Sequence, residues 1–490
     1  MSARRFLRDM AGMAASQYLS RAVLLVRGVV SAAALGPVGF GSWNALNLIL
    51  DYGSYASAGA LQGLDLTLPA STARGDHAES RRLLAAAWGV VLAGGTLFAL
   101  LVIAAVATGR PVILRPLGWQ APLLMLVAAV LQLAIQYLGS ALRARGRFDL
   151  VGGSTAVQVF VGGGFGILLV GRFGIPGLLW GWLAGTLLAL AWVRHAAADV
   201  PFQAGDPARA VALVRGGFVV FAFMGVSLLL RSVDRLALIH YGSPADLGAY
   251  SVGLLAAGLV FYVPEAASAV LYPRIVAATG GARDLDRTRR EVARVQRALA
   301  LLLPVVVAVG MVWVGPVLGW MLPRYREAAP AVRLLALAAL LLSAGTVRAF
   351  WLLARGRARR MLAAGAACAL FAAALVFAVA ARAPRPVPVA AAACAGYGVF
   401  GLVILTLAAA DLLGERRARW RFALNSMLPA AWLGAAAFAA CAIGPAGPLL
   451  ADVARTGAVL ACAVPLLAWF GHGAGLRALA RIVASGEVAA

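Results

Sequence analysis

The residues with most chemical potential in this chain are charges placed inside apolar runs. Arg21, Arg27, Arg231, Arg235 and Arg348, with Asp51, Asp234 and Glu265, each interrupt a stretch of otherwise hydrophobic sequence. An arginine at the centre of a membrane helix costs at least ~2.5–3.5 kcal/mol on insertion scales, so it needs a partner or a wet surround. At ~1.5 Å of rise per residue, Arg21 lies ~15 Å and Arg27 ~24 Å into the first run, and Arg231 and Asp234 lie ~22–27 Å into theirs. Residues three and four apart share a helix face, which groups Arg231 with Asp234 and with Arg235. Arg21 and Arg27 are ~120° of turn apart, so one flat face holds both only if the helix bends or a cavity wraps it. Guanidinium forks match phosphate oxygens, so a hydrated cavity lined by Arg21, Arg27 and Arg231 suits an anion, phosphate above all. The competing reading is internal ion pairing or reach to an interface. It fits Arg333 and Arg455, near the outer ends of their runs, since such side chains snorkel. Arg348, closer to an inner end, stands between the two readings.

Other motifs carry less. Asp284-Leu285-Asp286 has the form that holds a metal and a nucleotide sugar in some transferases, but it sits in an arginine-dense connection and reads as solvated charge. Gly162-Gly163-Gly164-Phe165-Gly166 lies in an apolar run, and its four-residue spacing, like that of Gly181 and Gly185, reads as close helix packing. Cys368, Cys394, Cys441 and Cys462 read as small buried side chains, and the four histidines make no metal-binding spacing. No cofactor or metal is expected.

The elements that must position these charges follow from composition. Of 490 residues 62% are hydrophobic and 13% charged, which marks an all-α integral membrane protein. Apolar runs give fourteen candidate spans, at 11–34, 41–65, 83–107, 119–141, 150–171, 174–193, 216–241, 247–272, 298–321, 330–353, 360–381, 387–410, 423–443 and 449–471. The first begins close behind Arg4, Arg5 and Arg8 and continues past Arg21 and Arg27, so it reads as a retained helix rather than a signal peptide. All 43 basic residues are arginine, giving a net charge of +24 that resembles a nucleic-acid binder's until the arginines are located. With the N-terminus in the cytoplasm, 29 fall in inside segments, 7 in outside loops and 7 within spans. That asymmetry follows the positive-inside rule, places both termini in the cytoplasm and argues against nucleic acid as a partner.

The chain also repeats itself. Gly36-Pro37 and Gly41-Ser42-Trp43 align with Ser243-Pro244 and Gly248-Ala249-Tyr250 at an offset of 207, and Ala144-Arg145-Gly146-Arg147 with Ala354-Arg355-Gly356-Arg357 at 210. Six spans per half is even, so the halves share one orientation, as in transporters that rock two lobes about a midplane site. The expected division is an N-terminal lobe over 1–200, a C-terminal lobe over 201–415, and two additional helices with a tail over 416–490.

In these features the chain resembles the polysaccharide-flippase branch of the multidrug/oligosaccharidyl-lipid/polysaccharide exporter superfamily. The likeness rests on Gly36-Pro37 with Phe40-Gly41-Ser42-Trp43, on Ser232-Val233-Asp234-Arg235, on Leu247-Gly248-Ala249-Tyr250-Ser251, and on Leu271-Tyr272-Pro273. It implies alternating access in a bacterial inner membrane, carrying a polyprenyl-diphosphate-linked glycan to the outer leaflet for O-antigen, capsule or exopolysaccharide synthesis. Glycan polymerases and other assembly proteins are then expected partners. The same likeness implies substrate contact at Arg21, Arg27 and Arg231, and the other charges inside the apolar runs extend the candidate site to Arg235, Asp234, Asp51 and Arg348. A peptidoglycan-precursor flippase shares the spaced basic residues of the first helix and is the nearest alternative. A multidrug antiporter would use Asp51, Asp65, Asp234 or Glu265. A glycan polymerase or ligase would need a large outer loop, whereas the outer loops here are short.

Overall fold

The computed structural model describes residues 3–109, 111–278, 282–410, 415–443 and 449–471. Among them the chain is helical, with no strand. The helices run α1 (Ala3–Gly53), α2 (Ala60–Ala73), α3 (His77–Ala107), α4 (Gln120–Ala144), α5 (Phe148–Phe173), α6 (Ile175–Ala196), α7 (Pro207–Leu230) and α8 (Val233–Tyr241). They continue as α9 (Pro244–Ala278), α10 (Ala282–Met321), α11 (Ala329–Ser343), α12 (Thr346–Ala354), α13 (Ala358–Arg382), α14 (Pro386–Ala409), α15 (Arg416–Ala442) and α16 (Leu449–Gly471). Thirteen of the described helical segments are long and apolar enough to cross a bilayer, which makes this a multi-pass membrane protein. The expected fourteen becomes thirteen because α1 carries the first two spans as one element, bent where Gly36 takes φ 66° and ψ −179° ahead of Pro37. Large apolar side chains such as Trp320, Leu168 and Leu450 stand on the outside of the packed helices, as a lipid-facing surface requires.

Packing divides the chain into two units, one of residues 1–225 with 238–251, the other of 226–237 with 252–490. In the first, α5 and α6 share the most extensive contact, with α1 and α4 against them. Glycine permits this. A Cβ on Gly181 would lie 2.5 Å from the Gly166 nitrogen, and one on Gly185 would lie 2.6 Å from the Gly162 nitrogen, so the backbones touch where the sequence spaces its glycines by four. In the second unit α14 packs on α11 and α13, and α10 packs on α15 and α16.

The two copies of Ala-Arg-Gly-Arg make the same turn. Gly146 and Gly356 take φ 71° and 70°. Behind them Arg147 N donates to Leu142 O (2.9 Å) and Arg357 N to Leu352 O (3.0 Å), the left-handed glycine stop that closes a helix.

Three expected spans are interrupted. The run of helical hydrogen bonds breaks at 54–59, between α1 and α2, at 231–232, between α7 and α8, and at 344–345, between α11 and α12, where the backbone itself stays in the right-handed region. A break at bilayer depth frees carbonyls that lipid cannot satisfy, so neighbouring side chains must donate to them. They do: Ser54 Oγ to Asp51 O (2.7 Å), Ser232 Oγ to Leu228 O (2.7 Å) and Gln296 Nε2 to Ala344 O (2.7 Å).

Candidate functional site

In the first unit the site is built on α1. Arg27 points its guanidinium at two indoles, 4.7 Å from the Trp182 ring of α6 and 5.7 Å from that of Trp43, one bend further along α1. Gly166 of α5, bare of a side chain, leaves room for the Arg27 Cδ. Cation–π contact contributes up to ~2 kcal/mol when desolvated, which holds the charge without cancelling it. Among the described residues no carboxylate pairs with Arg27. The Trp182 Nε1–H beside it is buried and also lacks an acceptor. Two donors are thus collected in an apolar wall, and the chemistry they can serve is reception of an anion. Arg21 lies half-buried on the same helix and engages a neighbour. Asp51 lies in the last turn of α1, directly before the 54–59 break.

Beyond that break the first unit holds a cavity of about 400 Å³ whose polar lining is Ser54, Tyr55, Gln62, Asp65, Gln136 and Arg143. Arg143 Nη2 bridges both oxygens of Asp65 (2.8 and 3.0 Å), so this charge is neutralised in place. Gln62 Oε1 is buried without a donor. Such a lining favours a polar, hydroxyl-rich group over a strongly charged one.

In the second unit Arg231 occupies the turn between α7 and α8. Its backbone N still donates to Ser227 O (3.2 Å), so helical bonding reaches Arg231 before it is interrupted. Its Nη2 donates to Glu265 Oε1 on α9 (2.9 Å), and its guanidinium covers the Phe261 ring at 4.3 Å. Arg231 remains 40% exposed and Glu265 29%, so the pair stays partly open. Asp234 is fully buried in the first turn of α8, where its carboxylate accepts from Arg235 N (2.7 Å) and faces the positive end of the helix dipole. Arg235 is also engaged, though its Nε is buried without an acceptor. Arg348, on α12, is 1% exposed and lies over the Phe422 ring at 5.5 Å.

Reasoning from the sequence reached the arginines and missed their companions. Trp43 was visible in the repeated motif, but nothing in the spacing puts Trp182 on Arg27 or Gln296 at the 344–345 break. Asp284 and Asp286 fall in α10 with side chains outside the described residues, as do Arg477 and Arg481 altogether. No group of three or more His, Cys, Asp or Glu among the described residues could hold a metal ion.

The fold of these membrane helices is that of the MurJ and MATE transporters. The lipid II flippase MurJ in its inward-closed conformation superimposes with a TM-score of 0.70 at 13% identity, covering 94% of this chain and 98% of that one. An inward-facing multidrug-resistance MATE transporter of the MOP superfamily gives 0.67 at 12% identity over 82% and 96%. A Vibrio cholerae MATE transporter, VcmN, gives 0.53 at 16% over 83% and 99%. No protein-family model and no curated protein matches the sequence.

Proposed function

We propose that this chain is a flippase for a polyprenyl-diphosphate-linked glycan, one that serves cell-surface polysaccharide synthesis. It moves the headgroup from the inner to the outer leaflet of a bacterial inner membrane by alternating access, with both termini cytoplasmic. The observation that carries this is Arg27, a charge at helix depth held by two indoles and answered by no carboxylate among the described residues. A drug antiporter for organic cations would need the opposite sign there. Arg27 with the Trp182 N–H takes the diphosphate, and the cavity at Tyr55, Gln62 and Gln136 takes sugar hydroxyls. Arg231 exchanges its Glu265 partner for phosphate during transit, and Arg21, Asp51, Asp234 and Arg235 support these positions. The polyprenyl tail stays in lipid throughout.

An anionic headgroup moving outward is driven by a potential negative inside, by ~2.3 kcal/mol per charge per 100 mV. Collapsing the potential in proteoliposomes is therefore expected to slow net export. The second reading is export of a peptidoglycan precursor, favoured by the breadth of the match to MurJ. Deleting the gene and analysing the lipid-linked intermediates separates the two. Accumulation of an O-antigen, capsule or exopolysaccharide intermediate supports the proposal. Accumulated peptidoglycan precursor transfers it to the second reading, and the absence of either refutes both.

A further inference from the structure

The break at 344–345 in the second unit contains a set of polar atoms that the transport reading leaves unused. Arg348 is 1% exposed, and its Nε and Nη1 have no acceptor. Ser343 Oγ and Trp351 Nε1, on either side of it in sequence, are buried and equally unpartnered. They follow one another along the chain from Ser343 to Trp351, across the break at Ala344. Gln296 donates to the Ala344 carbonyl. Ala344 packs in one cluster with Phe422, the ring that carries the Arg348 guanidinium. Trp351 packs against Val292, Val295 and Leu299, the turns of α10 on both sides of Gln296. The charges that act on Arg348 are those of Arg289 and Arg297, of its own sign.

An arginine keeps its proton in proteins, and a buried charge left unpaired is far costlier than a buried pair. A buried polar atom without a partner needs a physical explanation, and a bound water or ion supplies one. Three of the residues here present donors, one is a cation, and none is a carboxylate. We infer that the 344–345 break is a binding site for a small monovalent anion of the halide class. One negative charge neutralises Arg348. With Arg348 and Val347 each 1% exposed, the space beside the break is tight, which suits a monatomic guest rather than a phosphate ester. Gln296 Oε1, an unpartnered acceptor, turns a water's hydrogen toward itself, and that water bridges to the anion. The guest neutralises the break in α11–α12 and fixes its two halves, a role separate from cargo.

The test uses the full-length protein in nanodiscs, freed of halide by exchange into gluconate and then titrated with sodium bromide at constant ionic strength. The expected results are a saturable rise of several degrees in Tm and an anomalous bromide peak in hydrogen-bonding reach of Arg348 Nε or Nη1. In Arg348→Met, which keeps length and volume, the rise is expected to vanish. Equal Tm in gluconate and bromide, or a bromide-soaked crystal with no peak at the break, overturns the inference. So does a bromide response that persists in Arg348→Met. The wild-type measurements decide the matter even if that variant fails to fold, and none of them involves transport.

Discussion

The repeated segments at 37–41 and 244–248 meet one another in the first unit, and this contact allows a quantitative perturbation. A Cβ on Gly41 would lie 1.8 Å from the Pro244 carbonyl oxygen, and one on Gly248 would lie 1.9 Å from the Pro37 carbonyl oxygen. The contact is reciprocal, because each glycine and each proline is the other's counterpart at the offset of 207. Real Cβ atoms essentially never come nearer than 3.0 Å, so Gly248→Ala must separate the two backbones by more than ~1 Å. The obstacle is backbone, which cannot swing aside as a side chain would. Overpacking of this kind costs about 1–3 kcal/mol. Applied to a two-state equilibrium, that is roughly a 5- to 150-fold shift toward the separated arrangement. Ser42, buried beside Gly41, reports on it. In a background lacking the four native cysteines, Ser42→Cys is expected to react slowly with maleimide, and Gly248→Ala is expected to accelerate the reaction at least fivefold. Adding Gly41→Ala should contribute little more, since one displacement relieves both clashes. Labelling rates and Tm unchanged by Gly248→Ala would refute the close contact and every inference drawn from it.

Three further outcomes are expected. Arg27→Ala should reduce headgroup transport by at least about tenfold while membrane levels stay normal, and Arg27→Lys should not restore it, because an ammonium neither stacks on Trp182 nor binds phosphate bidentately. Vesicle transport with quantified protein checks this, and lost protein instead of lost transport would make Arg27 a packing residue. Arg231→Glu and Glu265→Arg should each impair transport as single variants. The double swap should recover thermal stability, since the pair is restored, but not transport, since the positive group has moved to α9. Outside the membrane spans, Arg145 binds Asp199 through two hydrogen bonds (2.9 and 2.6 Å), and this bonding holds the carboxyl below its usual range. A depressed folded-state value means that the pair stabilises at neutral pH and that its contribution is lost as pH falls through that value, below about 4. Asp199 is largely exposed, so the effect is small. Asp199→Asn should lower Tm slightly at pH 7 in low salt, with a difference that shrinks as pH falls below about 4 and vanishes in 1 M salt.

What the sequence disclosed, and what it concealed, both trace to the charged residues. Hydropathy identified the spans because lipid demands long apolar runs, and the offset of 210 identified a turn that recurs with its glycine in the same left-handed geometry. The breaks inside spans 41–65, 216–241 and 330–353 were not visible, since apolar content is the same on either side of a break. Yet each one lies within four residues of a charge picked out at the start: Asp51 before 54–59, Arg231 within 231–232, Arg348 after 344–345. The association has a physical cause. A broken helix exposes peptide groups that lipid cannot satisfy, so it survives only in a polar pocket, and a buried charge survives only in the same kind of pocket. Arg27 is the instructive departure, because its helix is unbroken around it and aromatic faces replace the freed peptide groups. Arg231, beside a break, is answered by Glu265. Arg27, in an unbroken stretch against Trp43 and Trp182, has no carboxylate partner among the described residues, which is why the proposed anionic cargo is assigned to Arg27 ahead of Arg231.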